Sequence, residues 1–241
     1  MLEHTRLSHS SEAPTGLQAK RAVEAVPNLS DLPDLLLVER TRGRDTRAFE
    51  TLMRRYNRRL YRIGRSILSN DEAAEEAVRA AYFRAFANLD RYEPAGKFGA
   101  WLARLAFNEA LALRRHSPVA IPLGLVQQSP AEPANGTDAV ASKQQLEDAI
   151  DALPEVFRTV LVLRVVEDLS GVEVAVCLGL NETTVRTRLY RAQQRLKVDV
   201  ARSLRAEPFN IFELTPERCD RIVTQVFAKL HTVAPVASEA R

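Results

Sequence analysis

The sequence predicts an all-α protein: two small helical domains joined by a flexible linker, with an extra C-terminal helix. Three observations predict it. Ala, Leu, Val, Arg and Glu dominate and only nine of 241 residues are Gly, a composition that suits helices. Within each long segment apolar residues recur at steps of three and four, the period of a helix with one buried face. Between the two groups of helices lies a stretch, residues 117–142, with Pro118, Pro122, Pro130, Pro133, Gly124 and Gly136 and no sustained period, which reads as a linker. The apolar run Ile121–Val126 within it could dock locally on a partner surface.

Composition also bounds function. The formal net charge is only +3, but the basic residues are clustered, and clustering governs attraction to polyanions more than the total does. The two cysteines, Cys177 and Cys219, sit far apart at apolar helical positions and read as core thiols. No Cys/His spacing suits a metal, so neither a metal nor a cofactor is expected. No Gly-rich phosphate loop and no Ser/His/Asp arrangement with supporting context appears, so an enzyme is not expected. Met1–Pro27 lacks the apolar core of a signal peptide, and no run of 18 apolar residues could span a bilayer. The expectation is a soluble, cytoplasmic protein with no membrane insertion.

Residues 1–33 mix Ser, Ala, His, Glu and Pro without period and read as a mobile tail, with room for some helix around Leu17–Val26. Asp34 is the candidate cap of a short helix, Leu35–Arg42, interrupted by Gly43. From about Asp45 to Leu68 a long helix carries Phe49, Leu52, Met53, Tyr56, Leu60, Ile63 and Ile67 on one face. Its other faces are basic: from Arg40 to Arg65 ten arginines stand against two acids, Asp45 and Glu50. So unbalanced a face is costly in self-repulsion unless a polyanion or an acidic partner offsets it. Asn70 or Asp71 opens a helix over Glu72–Leu89, acidic at its start and aromatic later, at Tyr82, Phe83 and Phe86. A loop, Asp90–Lys97, broken by Pro94 and Gly96, leads to a helix from Phe98 to about Arg115. Together these form a bundle over residues 34–116.

The second unit, residues 143–205, begins with helix Lys143–Ala152. Pro154 then starts a Val- and Leu-dense helix that runs to about Glu167. Leu169–Lys197 reads as two helices joined by a tight turn. The first is capped by Ser170, carries Val172, Val174, Ala175, Val176 and Leu178, and stops at Gly179, a residue suited to a left-handed helix end. Asn181 caps the second, in which Val185, Leu189, Ala192 and Leu196 form one apolar stripe. Thr187, Arg191 and Gln194 lie opposite the stripe, flanked by Arg186, Arg188 and Arg195. A helix with one buried face and an Arg/Thr/Gln outer face suits a major-groove reader: cations for phosphates, forked and amide groups for base edges. This helix is expected to continue to about Arg205. Residues 206–241 hold an apolar-aromatic stretch, Phe209–Phe212, and an amphipathic helix, 216–231, with Thr215 as cap and Pro216 first. Its stripe of Cys219, Ile222, Val223, Val226, Phe227 and Leu230 needs a surface to bury against: the second domain, the bundle or another protein, of which the second domain is the working expectation.

Three phrases, AFETLMRRYNRRLYRIGRSIL (48–68), RAFANLDRYEPAGKFGAWLARLAFNEAL (84–111) and LPEVFRTVLVLRVVEDLSGVEVAVCLGLNETTVRTRLYRAQQRLK (153–197), occur in this order around this linker. They resemble the bacterial extracytoplasmic-function (ECF) sigma factors over roughly residues 34–115 and 143–200. The resemblance implies a transcription-initiation subunit with no enzymatic activity of its own. Its first domain would bind the clamp of core RNA polymerase and melt the promoter −10 element. Its second would read the −35 element in promoter DNA, and the linker would thread toward the polymerase cleft. Matching positions imply a −35 set of Thr183, Thr184, Arg186, Thr187, Arg188, Arg191 and Arg195. They imply a −10 set of Tyr92, Lys97, Trp101, Arg104 and Asn108, with Trp101 supporting the loop and Asn108 contacting a flipped base. They imply a core-polymerase set of Glu72, Glu75, Glu76, Arg79 and Ala80. The resemblance further implies an anti-sigma factor as partner and a monomer when free. At one place the chain departs from the family pattern. Most members read acid-x-x-Gln-acid before an aromatic, and here Arg79 and Ala80 replace the Gln and the second acid ahead of Tyr82. Two other readings stay open: a degenerate sigma-like protein that binds an anti-sigma factor, and a polymerase-independent helix-turn-helix regulator.

Overall fold

In the computed structural model, residues 28–93, 97–116, 138–196 and 211–233 are described, with side chains from Lys143 in the third stretch and to Thr232 in the last. Most of the expected tail, the loop centre 94–96, residues 117–137 of the linker, including the Ile121–Val126 run, and the segment 197–210 lie outside the described residues. Among the described residues every regular element is helical.

Helix α1 spans Asp34–Arg42 and buries Leu37 and Val38. Asp34 does not cap it. Pro33 holds the cap position without a side-chain bond, and the Asp34 carboxylate instead accepts from the Tyr56 hydroxyl and from Arg55. Helix α2, Thr46–Leu68, is capped by Asp45, whose carboxylate accepts from the Arg47 and Ala48 N–H groups. Of the expected row, Phe49, Leu52, Met53, Leu60, Ile63 and Ile67 are fully buried and Tyr56 is half-buried. Helix α3, Asp71–Ala87, starts on Asn70, which accepts from Ala73 N–H, and stops two residues before Leu89. Its buried alanines (Ala74, Ala77, Ala81, Ala85) let it press against α2: a Cβ added at Gly64 would lie 3.2 Å from the Ala74 backbone. A 3-10 turn at Leu89–Arg91 precedes α4, Phe98–His116, and α2, α3 and α4 pack against one another to close the first domain.

In the second domain α5 spans Asp138–Asp151, so the helix begins inside the stretch expected to be linker. Helix α6, Glu155–Leu161, begins one residue after Pro154 and passes into a π-helical turn at Val162–Val166, where one continuous helix was expected. Helix α7, Gly171–Leu178, carries a full capping box between Ser170 and Glu173 and ends on Gly179 at φ 66°. Val174, Ala175 and Cys177 face inward, whereas Val172 and Val176 are exposed. Helix α8 spans Glu182–Arg195, capped by Asn181 onto Thr184 N–H. It does not run on to Arg205: at Leu196 the backbone turns extended (φ −74°, ψ 138°) and the leucine side chain joins the core.

Helix α9, Pro216–Val233, corrects a further expectation. It packs on α2 and α3 of the first domain rather than on the second, burying Ile222, Val223 and Val226. Cys219 is therefore only partly buried, its sulfur accepting from Asn57 Nδ2 at 3.1 Å. Cys177 is the core thiol the sequence predicts, and burial pushes it up to about 12.

The basic face of α2 meets the second domain. Arg59 and Arg62 both reach Glu167 (3.1 and 2.9 Å), Arg65 forks onto Asp151, and Arg158 donates to Ser66 O at 2.6 Å. Arg62 also donates to Ile211 O. Seven of the ten arginines from Arg40 to Arg65 pair with carboxylates, and three of those carboxylates (Asp151, Glu167, Asp220) come from the C-terminal half. The acidic partner that this face requires is supplied by the chain itself.

Candidate nucleic-acid interface

The outer face of α8 is positioned by three features: the Asn181 cap, the tight turn after Gly179, and a stripe of Val185, Ala192 and Leu196 sunk against α6 and α7. With the stripe inward, Thr183, Arg186, Thr187, Arg191 and Gln194 face solvent, and Thr184 and Arg188 are half-buried beside them. Among the described residues none of Arg186, Arg188 and Arg191 pairs with a carboxylate. The Thr187 hydroxyl donates to Thr183 O at 2.9 Å. Arg195 is set apart: its guanidinium lies 5.1 Å over the Phe157 ring. Tyr190, 62 % exposed amid these cations, was absent from the expected set. An aromatic out of register with the apolar stripe is the signal that would have found it.

The −10 set divides. Tyr92, Phe98 and Trp101 form an aromatic cluster with centroids 5.0–5.5 Å apart, and Tyr56 joins through Phe98 at 5.8 Å. Tyr92 is buried, its carbonyl held by Arg42, so it supports the loop from beneath. Burial raises the Tyr56 and Tyr92 phenols. Gly99 is needed here, because a Cβ would come within 2.5 Å of the Tyr56 ring. Arg104 and Asn108 are exposed on α4, three and seven residues beyond Trp101, and so share its side of the helix. Lys97, 81 % exposed, pairs with Glu173 of α7 at 2.8 Å. That contact, with the Ser170 N–H, holds the Glu173 carboxyl at about 2. A cleft of about 290 Å³ opens at this junction, lined by Tyr56, Tyr92, Lys97, Phe98, Leu169 and Glu173.

The core-polymerase set also divides. Glu72 and Glu76 are exposed, and Arg79 and Ala80 are half-buried. Arg79 reaches Glu76 at 2.6 Å and Glu75 at 3.7 Å. Glu75 is 3 % exposed, because Arg218 and Arg221 of α9 take its carboxylate at 2.8 and 2.9 Å. Among the described residues no group of His, Cys, Asp and Glu could hold a metal ion, and no helix is long and apolar enough to cross a membrane.

A helical bundle followed by an arginine-faced helix-turn-helix is the plan of a sigma-70-type factor. The sequence matches the family Sigma-70 region 2 over residues 52–117 and Sigma-70 region 4 over residues 143–196. The chain belongs to the ECF RNA polymerase sigma factors. It is 30 % identical to ECF RNA polymerase sigma factor SigW of Bacillus subtilis over 173 residues, 66 % of this chain and 92 % of that one. Against the ECF RNA polymerase sigma-E factor of Escherichia coli K12 it is 27 % identical over 179 residues, covering 68 % of this chain and 93 % of the relative. The fold is also that of CnrH, solved in complex with the cytosolic domain of CnrY (TM-score 0.52, 24 % identity, 72 % of this chain and 98 % of that one).

Proposed function

We propose that this sigma factor divides its work as the two domains suggest, with α8 reading the −35 element and α4 with its preceding loop capturing the −10 element. The observation that carries this reading is the outer face of α8, where Arg186, Arg188 and Arg191 have no carboxylate partner among the described residues. A folded chain that satisfies most cations elsewhere and leaves this row open presents it to an external polyanion. Thr183, Thr184 and Thr187 supply hydroxyls to the same face, and Arg195, stacked on Phe157, serves a phosphate rather than a base edge. In the first domain the Tyr92–Phe98–Trp101 cluster braces the loop, and Arg104 and Asn108 offer a cation and an amide to an unstacked strand. Glu72, Glu75 and Glu76, with Arg79 and Ala80, form the side of α3 that meets core polymerase. The protein acts in the cytoplasm as a monomer until it joins polymerase, is restrained by an anti-sigma factor, and contributes binding and strand capture rather than catalysis.

The test is transcription in vitro with purified core polymerase over a promoter library. The expected result is initiation confined to templates with both elements, with the −35 preference altered by Arg188→Ala and Arg191→Ala. No transcript above that of core enzyme alone overturns the reading.

A further inference from the structure

From the way α9 sits on α3 we infer that the C-terminal helix is an internal competitor of core polymerase: it covers the α2–α3 face and must lift before polymerase can dock there. This rests on the reading that α3 is the polymerase-facing helix.

The charge pattern comes first. Glu75 sits in the middle of the acidic side of α3, yet it is buried beneath Arg218 and Arg221, and Arg218 also reaches Asp71 at 3.1 Å. The rest of the footprint follows the groove. Asp220 pairs with Arg54 at 2.7 Å, and Ile222 and Val226 are fully buried. Phe227 lies 6.3 Å from Phe49, and the Lys229 ammonium lies 4.4 Å over Phe83. One amphipathic helix fills this face from Asp71 to Phe83. A protein surface that docks in its place must offer the same chemistry: cations for the Glu75 carboxylate, then an apolar strip for the ground held by Ile222, Val226 and Phe227.

The seam is also built to open. Asn57 is 1 % exposed beneath α9; among the described residues its Oδ1 has no hydrogen-bond partner and its Nδ2 finds only the Cys219 sulfur, a weak acceptor. A buried carbonyl oxygen without a donor is unfavourable, and water satisfies it once the helix lifts. Ion pairs ring the remainder of the contact, as in interfaces that separate and reform. The free chain therefore binds polymerase with an affinity reduced by the fraction of molecules whose helix is raised.

The experiment measures the dissociation constant of full-length protein for purified core polymerase. Arg218→Glu with Arg221→Glu turns attraction to Glu75 into repulsion and leaves the α3 face untouched. The expected result is binding tighter by about ten-fold or more. The reverse variant, Asn57→Cys, places a thiol against Cys219. Added diamide takes two electrons and two protons from the pair, forming a disulfide that pins α9, with the bridge confirmed by intact mass. The oxidised protein should lose polymerase binding, and dithiothreitol should restore it. Equal affinity of the double-glutamate variant and the parent, or undiminished binding by the bridged form, overturns the inference while leaving the sigma-factor reading in place. No binding by any form overturns the polymerase-facing assignment of α3 itself, and the inference with it.

Discussion

Two arginine-rich helices, α2 and α8, look alike in sequence and behave as opposites in the folded chain. On α2 five of the seven arginines pair with the protein's own acids, most deeply Arg62, at 3 % side-chain exposure against Glu167 at 8 %. On α8 Arg186 and Arg191 face solvent, and neither they nor the half-buried Arg188 has an acid partner among the described residues. A basic face therefore announces a need for negative charge without saying whether the charge is internal. What decides it is the distribution of acids elsewhere in the chain, here Asp151, Glu167 and Asp220, all more than eighty residues beyond the arginines they meet.

The hardest test of that contrast removes one acid. Glu167→Ala strips Arg59 and Arg62 of their carboxylate, and breaking a buried pair from one side costs about 3–5 kcal/mol. Urea unfolding should register the loss; a change below about 1 kcal/mol, the range of exposed pairs, would erase the distinction between the two helices. The complementary test is Arg191→Ala. Stability should stay within about 0.5 kcal/mol of the parent. Affinity of the polymerase holoenzyme for promoter DNA should fall by about 1–3 kcal/mol, most for templates matched at the −35 element. A large stability loss would show that α8 is as internally engaged as α2.

Smaller effects sharpen the boundary between the domains. Ser170→Ala removes the cap of α7, which both carries Glu173 and backs α8, and should cost about 1 kcal/mol in thermal unfolding. Smallest of all is a pH effect. Glu173 is held at about 2, below its ordinary 4.5, chiefly by Lys97. Its contribution is thus fully present above about pH 4.5 and fades as the pH falls toward 2. Carboxyl-carbon titration by NMR should give a midpoint near 2 that Lys97→Ala raises; an unmoved midpoint would assign the shift to Ser170 alone.

The helices themselves were legible because their stripes and caps are local. Asp45, Asn70, Ser170, Asn181 and Gly179 all perform the roles that their residue types suggest. Asp34 does not cap because Arg55 and Tyr56 of α2, 21 and 22 residues later in the chain, take its carboxylate in place of the local N–H groups. The early start of α5 at Asp138 and the π-helical turn after Leu161 leave no mark in a three-four periodicity. In the site, the outer face of α8 could be read because a surface helix shows its solvent side directly. The burial of Glu75 could not, because it depends on arginines 143 and 146 residues later in the chain. The docking of α9 on the first domain was illegible for the same reason: an amphipathic stripe states that a partner exists, and nothing in the stripe says which.

Arg62 gives the arrangement one more property. A single guanidinium holds both Glu167 of the second domain and the Ile211 carbonyl that leads into α9. Departure of either one strands the other beside a half-dismantled site, so separating the domains and freeing the C-terminal segment are energetically linked events. The two movements then reinforce each other: whatever pulls the second domain away loosens the tail, and whatever draws the tail off loosens the second domain.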